Sequence, residues 1–326
     1  MDHWPGIGQA IKENKGTLIF LKMNIDIIKN EFKKQGIDSI IKYHEPLKNH
    51  TSLRIGGPAD GFCSPGNVED LRKIISISQK YNIPFWVMGN GTNLLILDNG
   101  IRGLVINLNK DFKKIEFSDK IVKVGAGVSL VYLSKIVLSR ELSGLEFSCN
   151  IPGALGGAII NNASFKENCM ADVVQNVTFL TKENKIERKS KSNLNFNYRK
   201  CNLKGKAVII LEATLLLKKG NKEEIESKIK QNIRIRKIKQ PWDKFSAGSI
   251  FKNPPGYYAG ELVEKVGAKW LSRGKAEVST RHANFIINNG GASAGDILYL
   301  IEEIEKRVKR NFGIKLEREI EILGDP

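Results

Sequence analysis

Hydrophobic residues recur at three- and four-residue spacing in several stretches of the chain, and this spacing predicts amphipathic helices. One stretch covers residues 68–81 and follows Asn67, which suits the N-cap position of a helix. The longest stretch lies near the carboxyl end behind Ser293, and Asp296 completes a capping-box pattern there. Its apolar face consists of Ile297, Leu300, Ile301, Ile304, Val308 and Phe312. These signals are local, so they predict where both helices begin.

Short apolar runs broken by glycine follow from about Thr51, and runs of this length predict strands. The runs are FWVMGNGTNLLIL, IRGLVINL, KIVKVGAGVSL and KAVIILEATLLL. A last run, LEREIEIL at 316–323, predicts a final strand whose alternation places three glutamates on one face. Further helices are predicted over 129–142 and over the charged segment 221–240, which Pro241 ends.

The length of 326 residues allows roughly two domains of ordinary size. The composition shifts near residue 220, from strand-like runs to a charged helical pattern. We therefore predict an extension and helix over 1–37, a strand-rich domain over 38–219 and a carboxyl-terminal domain over 220–326. Met23 is hypothesised to be the true start, because residues 1–22 contain no clear packing pattern.

The composition is that of a folded globular chain, with 41% hydrophobic and 27% charged residues. The apolar runs fall far short of the roughly 18 residues that a membrane-spanning helix requires. The first residues lack the basic segment and long apolar core of a secretory signal. We therefore expect a cytoplasmic protein with no membrane partner. The four cysteines and four histidines are too dispersed to suggest a metal centre.

The chain has 52 lysines and arginines against 35 aspartates and glutamates, a net charge of +17. This excess favours acidic partners, namely nucleic acid, anionic lipid or phosphorylated small molecules. It equally fits a composition rich in lysine, asparagine and isoleucine that is spread over the whole surface. The basic residues do not cluster with aromatic ones and no nucleic-acid-binding module is recognisable, so we expect no nucleic-acid partner.

Two glycine-rich segments are candidates for binding a phosphate-bearing cofactor. Residues 88–96 read MGNGTNLLI, and the two glycines allow backbone N–H groups to approach a pyrophosphate. An ordinary turn is the alternative. Leu94 stands where the Gly-x-Gly-x-x-Gly dinucleotide pattern needs its third glycine, so that pattern is not met. Residues 150–158 read NIPGALGGA, which implies a backbone packed closely against a ligand or against another core segment.

Three further segments carry side chains suited to chemistry on an anion. Arg199, beside Tyr198, offers a guanidinium to a carboxylate or phosphate, although a solvated basic turn has the same pattern. Ser249 precedes an apolar pair and Lys252, and a desolvated hydroxyl beside a cation can protonate a developing carbanion. A purely structural serine is the alternative. Glu319 is the middle glutamate of the predicted final strand, and a solvent-facing edge is the alternative there.

Seven segments, taken together and in this order, resemble the UDP-N-acetylenolpyruvoylglucosamine reductase family of peptidoglycan precursor synthesis over nearly all of residues 44–324. They are NHTSLRIGGPAD at 49–60, MGNGTNLLI at 88–96, NIPGALGGA at 150–158, YRK at 198–200, AGSIFKNP at 247–254, HANFIIN at 282–288 and LEREIEILG at 316–324. The resemblance implies an α+β fold. A two-part FAD-binding unit of the vanillyl-alcohol-oxidase (PCMH) type would occupy 38–219, and a smaller α/β substrate-binding lobe would occupy 220–326.

The resemblance also implies non-covalently bound FAD, in keeping with the lack of any histidine between His50 and His282. The implied cofactor-binding residues are Arg54, Gly89, Asn90, Gly91, Thr92, Asn93, Leu94, Ile151, Pro152, Gly153, Gly156, Gly157 and Ala158. NADPH would be the reducing co-substrate, and UDP-N-acetylglucosamine enolpyruvate would be reduced to UDP-N-acetylmuramate. Tyr198, Lys252 and Asn253 would bind this nucleotide sugar. No protein partner is implied.

By the same resemblance, Ser249 matches the family's proton donor, and Arg199 and Glu319 match the residues that polarise the substrate carboxylate and stabilise the enolic intermediate. Hydride addition builds negative charge on the carbon that bears the carboxylate, and a fixed arginine stabilises that charge. Ser249 needs a neighbouring cation or relay to stabilise its alkoxide, and Lys252 is the candidate. Glu319 must be protonated or hydrogen-bonded, because two free carboxylates would repel each other.

The chain departs from the family pattern at Asn150 and over residues 164–167, both next to the expected flavin pocket. No long insertion separates Tyr198 from Ser249, which is typical of the shorter, type II form of the family. A different flavin oxidase of the same fold is the nearest alternative. It gives no reason for the three catalytic candidates to occur together in these sequence contexts.

Overall fold

The computed structural model describes residues 25–325, which form a mixture of helices and strands. The helices are α1 (Ile25–Lys34), α2 (Val68–Lys80), α3 (Leu130–Ser139), α4 (Leu155–Ile160), α5 (Met170–Val173), α6 (Lys222–Lys239), α7 (Ala259–Lys265) and α8 (Ala294–Phe312). The strands are β1 (Ile41–Pro46), β2 (Pro58–Cys63), β3 (Phe85–Val87), β4 (Leu94–Ile96), β5 (Ile101–Ile106), β6 (Ile115–Ser118), β7 (Ile121–Gly125), β8 (Leu142–Ser143), β9 (Ser164–Phe165), β10 (Asn168–Cys169), β11 (Val174–Thr181), β12 (Ile186–Ser190), β13 (Val208–Leu216), β14 (Lys218–Lys219), β15 (Phe245–Ser246), β16 (Ser272–Arg273), β17 (Ala276–Val278), β18 (Ile286–Asn288) and β19 (Glu321–Leu323). The α+β fold class is confirmed.

The described residues divide into two compact units, each with its own hydrophobic core. Unit 1 contains the described residues up to Glu45, 59–89 and 102–232. Unit 2 contains 46–58, 90–101 and the residues from Ile233 onwards. Unit 2 therefore includes two segments from the amino-terminal half of the chain. The domain boundaries drawn from the sequence at 38–219 and 220–326 stay predictions.

Unit 1 is built on two larger sheets and also contains the two-stranded sheets β10-β9 and β14-β8. One of the larger sheets has four strands in the order β1-β2-β5-β3, and the other has five in the order β12-β11-β13-β7-β6, with antiparallel pairing throughout the latter. Helix α2 begins where the sequence predicts, because the Asn67 side chain accepts a hydrogen bond from the Asp70 N–H. It buries Leu71, Ile74 and Ile75 in the core of unit 1.

Unit 2 contains a four-stranded sheet in the order β15-β18-β17-β16 and a parallel pair formed by β4 and β19. The predicted capping box is confirmed at the start of α8, where Ser293 and Asp296 each accept a hydrogen bond from the other's backbone N–H. The prediction of one strand over 316–323 is wrong for residues 316–320. They pair irregularly with the segment after Ser249 instead of extending β19.

The proposed start at Met23 and the extension of residues 1–22 lie outside the described residues. The described part of the helix predicted near Met23 is α1, which buries Ile28 and Phe32. Between residues 25 and 325, no helix has both the length and the apolar character that crossing a membrane requires.

Candidate active site

The first glycine-rich segment forms the loop between β3 and β4, and Gly91 is its tightest point. Gly91 has a φ of +61°, and a Cβ placed there would lie 2.1 Å from the His50 carbonyl oxygen. The Gly91 carbonyl accepts hydrogen bonds from the Ser52 N–H at 3.0 Å and from its Oγ at 3.4 Å. Only glycine combines this backbone conformation with this close approach.

The loop presents backbone donors that fit an anionic ligand. The N–H groups of Gly89, Asn90 and Gly91 donate to no acceptor within residues 25–325. Successive N–H groups in a glycine turn form a concave site for phosphate oxygens. Asn107 holds the start of the loop from the other side, because its Nδ2 donates to the carbonyls of Met88 and Gly89 at 2.9 Å each. The donor set therefore fits a pyrophosphate.

Within unit 1, the second glycine-rich segment packs against Gly89 and Ala126. A Cβ added to Gly89 would be 3.3 Å from the Ala154 Cβ, and a Cβ added to Gly156 would be 3.2 Å from the Ala126 Cβ. The Gly153 carbonyl accepts from the Leu130 N–H at 3.0 Å. These contacts realise the close packing that the sequence predicts. The remaining candidates of the segment are Ile151, Pro152, Gly157 and Ala158, of which Pro152 and Gly157 are exposed and Ala158 is buried.

Arg54 and Ser52 lie on the turn of unit 2 that supports the loop. Arg54 is exposed, has a φ of +56°, and places its guanidinium carbon 5.9 Å from the centre of the Phe245 ring. Ser52 donates through Oγ to the Ser246 carbonyl at 2.7 Å while its N–H binds Gly91. Ser52 thus ties the glycine loop to the segment that leads to Ser249.

Within unit 2, backbone pairing brings the segments of Ser249 and Glu319 together. The Ile250 carbonyl, next to Ser249, accepts from the Glu319 N–H at 2.7 Å. Asn93 holds the same segment, because its Nδ2 donates to the Glu319 carbonyl at 3.0 Å. Leu94 and the half-buried Thr92 flank Asn93, and Leu94 opens the parallel pairing of β4 with β19. Ser249 and Glu319 are both half-buried.

Charged side chains on the two paired segments are already engaged in ion pairs. The Lys252 ammonium pairs with the Glu317 carboxylate, and the Lys252 side chain is only 17% exposed. Arg318 forms a two-point pair with Glu305 of α8 at 2.6 and 2.7 Å, which raises the pKa of Arg318. Asn253 is exposed and accepts from the Ala259 N–H at the start of α7 at 3.0 Å.

Arg199 belongs to unit 1, where it follows the exposed Tyr198. Its backbone has a φ of +56°, and its Nη1 donates to the Ser164 Oγ at 2.8 Å. The guanidinium carbon lies 5.5 Å from the centre of the Tyr198 ring. A non-glycine residue in the left-handed region costs conformational energy that surrounding contacts must offset, and such residues concentrate at functional sites. Arg199 is therefore held in a defined place.

Both departures from the family pattern have structural contacts. Ser164 is the hydrogen-bond acceptor for Arg199. Asn150 donates through Nδ2 to the Asn232 carbonyl at 3.3 Å, and the buried Asn232 in turn donates to the Glu146 carbonyl at 3.1 Å. Asn150 therefore connects the second glycine-rich segment to α6.

No sequence motif assigns a role to Ser52, Asn107, Ser164 or Asn284 individually. Ser52 and Asn284 lie inside the quoted segments TSLRIGG and HANFIIN, so only their presence in those segments pointed to them. The Asn284 side chain is buried and binds the backbone of Phe251, two residues after Ser249.

The chain is similar to known proteins over most of its length. A family model described as UDP-N-acetylenolpyruvoylglucosamine reductase, C-terminal domain, matches residues 240–323, and one described as FAD binding domain matches residues 59–190. The UDP-N-acetylenolpyruvoylglucosamine reductase of Caldanaerobacter subterraneus is 44% identical over 92% of this chain and 99% of its own. That of Clostridioides difficile is 41% identical over 87% and 94%. The crystal structure of the reductase from Thermus caldophilus matches with a TM-score of 0.76 at 36% identity, over 86% of this chain and 98% of that one.

Proposed function

The chain belongs to the family of UDP-N-acetylenolpyruvoylglucosamine reductases, and on this premise we propose which of its residues carry out the family's reaction. The reaction is the NADPH-dependent reduction of UDP-N-acetylglucosamine enolpyruvate to UDP-N-acetylmuramate, a step in peptidoglycan precursor synthesis. It adds one hydride to the methylene carbon of the enolpyruvyl group and one proton to the adjacent carbon. Bound FAD supplies the hydride transfer between NADPH and the substrate.

We propose that the two glycine-rich segments hold FAD. The free amides of Gly89, Asn90 and Gly91 support this assignment for the pyrophosphate, because they can donate to its anionic oxygens without an added positive charge. The assignment extends to the other predicted cofactor residues, which are Arg54, Thr92, Asn93, Leu94, Ile151, Pro152, Gly153, Gly156, Gly157 and Ala158. The Asn93 Nδ2 is engaged with the main chain, so Asn93 has its Oδ1 for a ligand.

The proposed catalytic assignment in unit 2 rests on one observation, the 2.7 Å hydrogen bond from the Glu319 N–H to the Ile250 carbonyl. This hydrogen bond supports a shared role for Ser249 and Glu319 in the same reaction, because it keeps the two residues on directly paired segments. Ser249 donates the proton to the carbon beside the carboxylate, and Glu319 stabilises the enolic intermediate. Lys252 and Asn253 follow on the same segment and bind the nucleotide sugar, with Lys252 as the cation that stabilises the serine alkoxide.

Arg199 is assigned to the substrate carboxylate, where charge develops as the hydride adds. Its planar guanidinium presents two parallel N–H donors to a carboxylate, an arrangement that lysine lacks. The hydrogen bond to Ser164 and the left-handed backbone fix the guanidinium before the substrate binds. A donor that needs no reorganisation stabilises developing charge most effectively. Tyr198 is assigned to substrate binding beside it.

The test separates the two half-reactions under anaerobic conditions. Wild-type protein is reduced with NADPH, and UDP-N-acetylglucosamine enolpyruvate is then added while the flavin absorbance near ~450 nm is followed. We expect rapid return of the band in the wild type. In the Ser249→Ala protein, we expect NADPH to bleach the flavin at the wild-type rate. The return of flavin absorbance after substrate is added should slow about 10²- to 10⁴-fold, which is the usual contribution of a general acid.

Ser246→Ala is the matched control, because Ser246 binds Ser52 through its backbone carbonyl only. It should resemble the wild type in both half-reactions. A Ser249→Ala protein that returns as fast as the wild type would refute the proton-donor role. A wild-type flavin that stays bleached after UDP-N-acetylglucosamine enolpyruvate is added would refute the assignment of this compound as the substrate.

We further propose that the enzyme works in the cytoplasm and without a protein partner, since its nucleotide-sugar substrate and NADPH are both small soluble metabolites. Turnover by the purified chain alone tests the second statement. Activity recovered only in the membrane fraction of broken cells would contradict the first.

A further inference from the structure

Asn284 binds the backbone directly after Ser249 through three hydrogen bonds. Its Nδ2 donates to the Phe251 carbonyl at 2.8 Å, and its Oδ1 accepts from the Phe251 N–H at 2.9 Å. Its own backbone carbonyl accepts from the Ile250 N–H at 2.9 Å. The residue is 4% exposed, so water cannot replace these bonds when they are lost.

The opposite side of the same segment is held by the residues around Glu319. The Ile250 carbonyl binds the Glu319 N–H, and the Lys252 N–H donates to the Glu317 carbonyl at 2.8 Å. The backbone from Ile250 to Lys252 is therefore fixed between Asn284 and the strand-like residues 317–319. Within residues 25–325, the Ser249 side chain makes no hydrogen bond of its own, so its position follows from this backbone.

Asn284 is itself held by a tight turn. The His282 Nδ1 accepts from the Asn284 N–H at 3.3 Å, and the His282 carbonyl accepts from the Phe285 N–H at 3.0 Å. The imidazole ring lies edge-on to the Phe285 ring at 4.9 Å. The Asn284 side chain thus starts from a fixed backbone and needs no rearrangement to reach Phe251.

The chemistry of the contact requires a carboxamide. One side chain must donate to a carbonyl and accept from an N–H of the same residue, and a neutral amide does both. Aspartate has the same shape but would set a carboxylate oxygen against the Phe251 carbonyl. Alanine would leave both backbone groups of Phe251 buried without these partners.

We propose that Asn284 is a positioning residue for proton donation by Ser249. The proposal rests on the proposed function and deepens it: Asn284 touches neither substrate nor cofactor but sets where the serine hydroxyl lies. Displacement of a reacting group by about 1 Å lowers a rate by roughly 10²-fold. Only the substrate half-reaction needs the serine proton, so the NADPH half-reaction serves as an internal reference.

The experiment measures both half-reactions of the FAD-loaded protein for Asn284→Asp and Asn284→Ala. We expect flavin return with UDP-N-acetylglucosamine enolpyruvate to slow about 10- to 100-fold, with NADPH bleaching within twofold of wild type. The solvent deuterium isotope effect on the return should increase, because proton transfer becomes slower than the steps around it. The KM for the substrate should change less than threefold. Asn284→Asp keeps the volume of the side chain and carries the test if the alanine variant does not fold.

Asn288→Ala is the matched control for a purely structural role. Asn288 is 2% exposed and its side chain also binds backbone, at Leu53, Gly290 and Ala292, but it makes no hydrogen bond to residues 250–252. It should lower the melting temperature and leave the ratio of the two half-reaction rates unchanged. If the rates of both half-reactions decrease by the same factor in the Asn284 variants, the positioning role is refuted. It is also refuted if the solvent isotope effect stays at the wild-type value. A wild type that is not reoxidised by the substrate would instead refute the proposed function, and the role of Asn284 with it.

Discussion

Substitution of Gly91 by alanine tests whether the glycine loop binds FAD through its backbone. The new Cβ would lie 2.1 Å from the His50 carbonyl oxygen, about 0.9 Å closer than the 3.0 Å below which real Cβ atoms essentially never approach. The contact is with backbone, so no side chain can rotate away, and the loop itself must shift. A φ of +61° adds about 1–2 kcal/mol for any residue with a Cβ.

The shift determines the expected loss of affinity. Hydrogen bonds weaken steeply when donors leave their preferred distance and angle, so a displacement of this size disrupts the N–H donors of Asn90 and Gly91. Each hydrogen bond to a charged group contributes about 1.5–3 kcal/mol. Loss of two such bonds raises the Kd for FAD roughly 10²- to 10⁴-fold.

The assay is a titration of the deflavinated protein with FAD, followed by quenching of flavin fluorescence. Gly267→Ala is the matched control, because Gly267 has a φ of +66° and open space within 4 Å of an added Cβ. Gly267→Ala has the conformational cost of a positive φ but no steric clash of the new Cβ. This variant should therefore lose about 1 kcal/mol of folding stability and keep the wild-type affinity for FAD. If the Kd of the Gly91→Ala protein for FAD is within threefold of the wild-type value, the hypothesis that backbone N–H groups of the glycine loop bind FAD is refuted. An equal loss of FAD affinity in Gly267→Ala would show that general destabilisation of the protein causes the loss.

Two further substitutions test groups near the candidate site. Burial is the main cause that holds the pKa of His282 below its ordinary value of 6.5; Lys239 and Lys269 add to this shift, whereas a backbone hydrogen bond of His282 and the Glu264 carboxylate oppose it. The unfolded chain therefore binds more protons just below pH 6.5, and stability should fall as the pH drops through that value. Replacement of His282 by glutamine should flatten this dependence, whose slope for one proton is at most about 1.4 kcal/mol per pH unit, and urea unfolding between pH 5 and 7 measures it. Ser164→Ala removes the acceptor that holds Arg199, so substrate-driven flavin return should slow about 3- to 10-fold without loss of bound FAD; an unchanged rate would contradict a role for this contact.

The parts of the fold that the sequence predicts correctly are those set by short-range interactions. Helix α8 begins at its capping box, and α2 begins at Asn67, because the cap and the groups it satisfies are three residues apart. The charged helix over 221–240 also forms, as α6. Glycine spacing likewise located the tight loop around Gly91, since the positive φ and the close approach of His50 both require that residue type.

The final strand shows why one prediction failed. Residues 316–323 alternate as a strand should, but alternation cannot specify a partner. Leu94 and its neighbours pair with 321–323, whereas Glu317 and Glu319 bind the segment after Ser249. The contacts of Asn284 with Phe251 and of Arg199 with Ser164 span 33 and 35 residues, and no periodicity reports a contact at that range.

Asparagine carboxamides bind backbone beside the candidate site residues at several places in the described part of the chain. Asn107 holds the carbonyl of Gly89, Asn93 holds that of Glu319, and Asn284 holds both backbone groups of Phe251. A carboxamide can anchor main chain in this way without bringing a charge near a substrate that carries a carboxylate and a diphosphate, where a lysine or an aspartate would change the electrostatics of the reaction. The high asparagine content of the chain also fits a compositional bias of the surface. These three positions show that part of it fixes the segments on which the proposed chemistry depends.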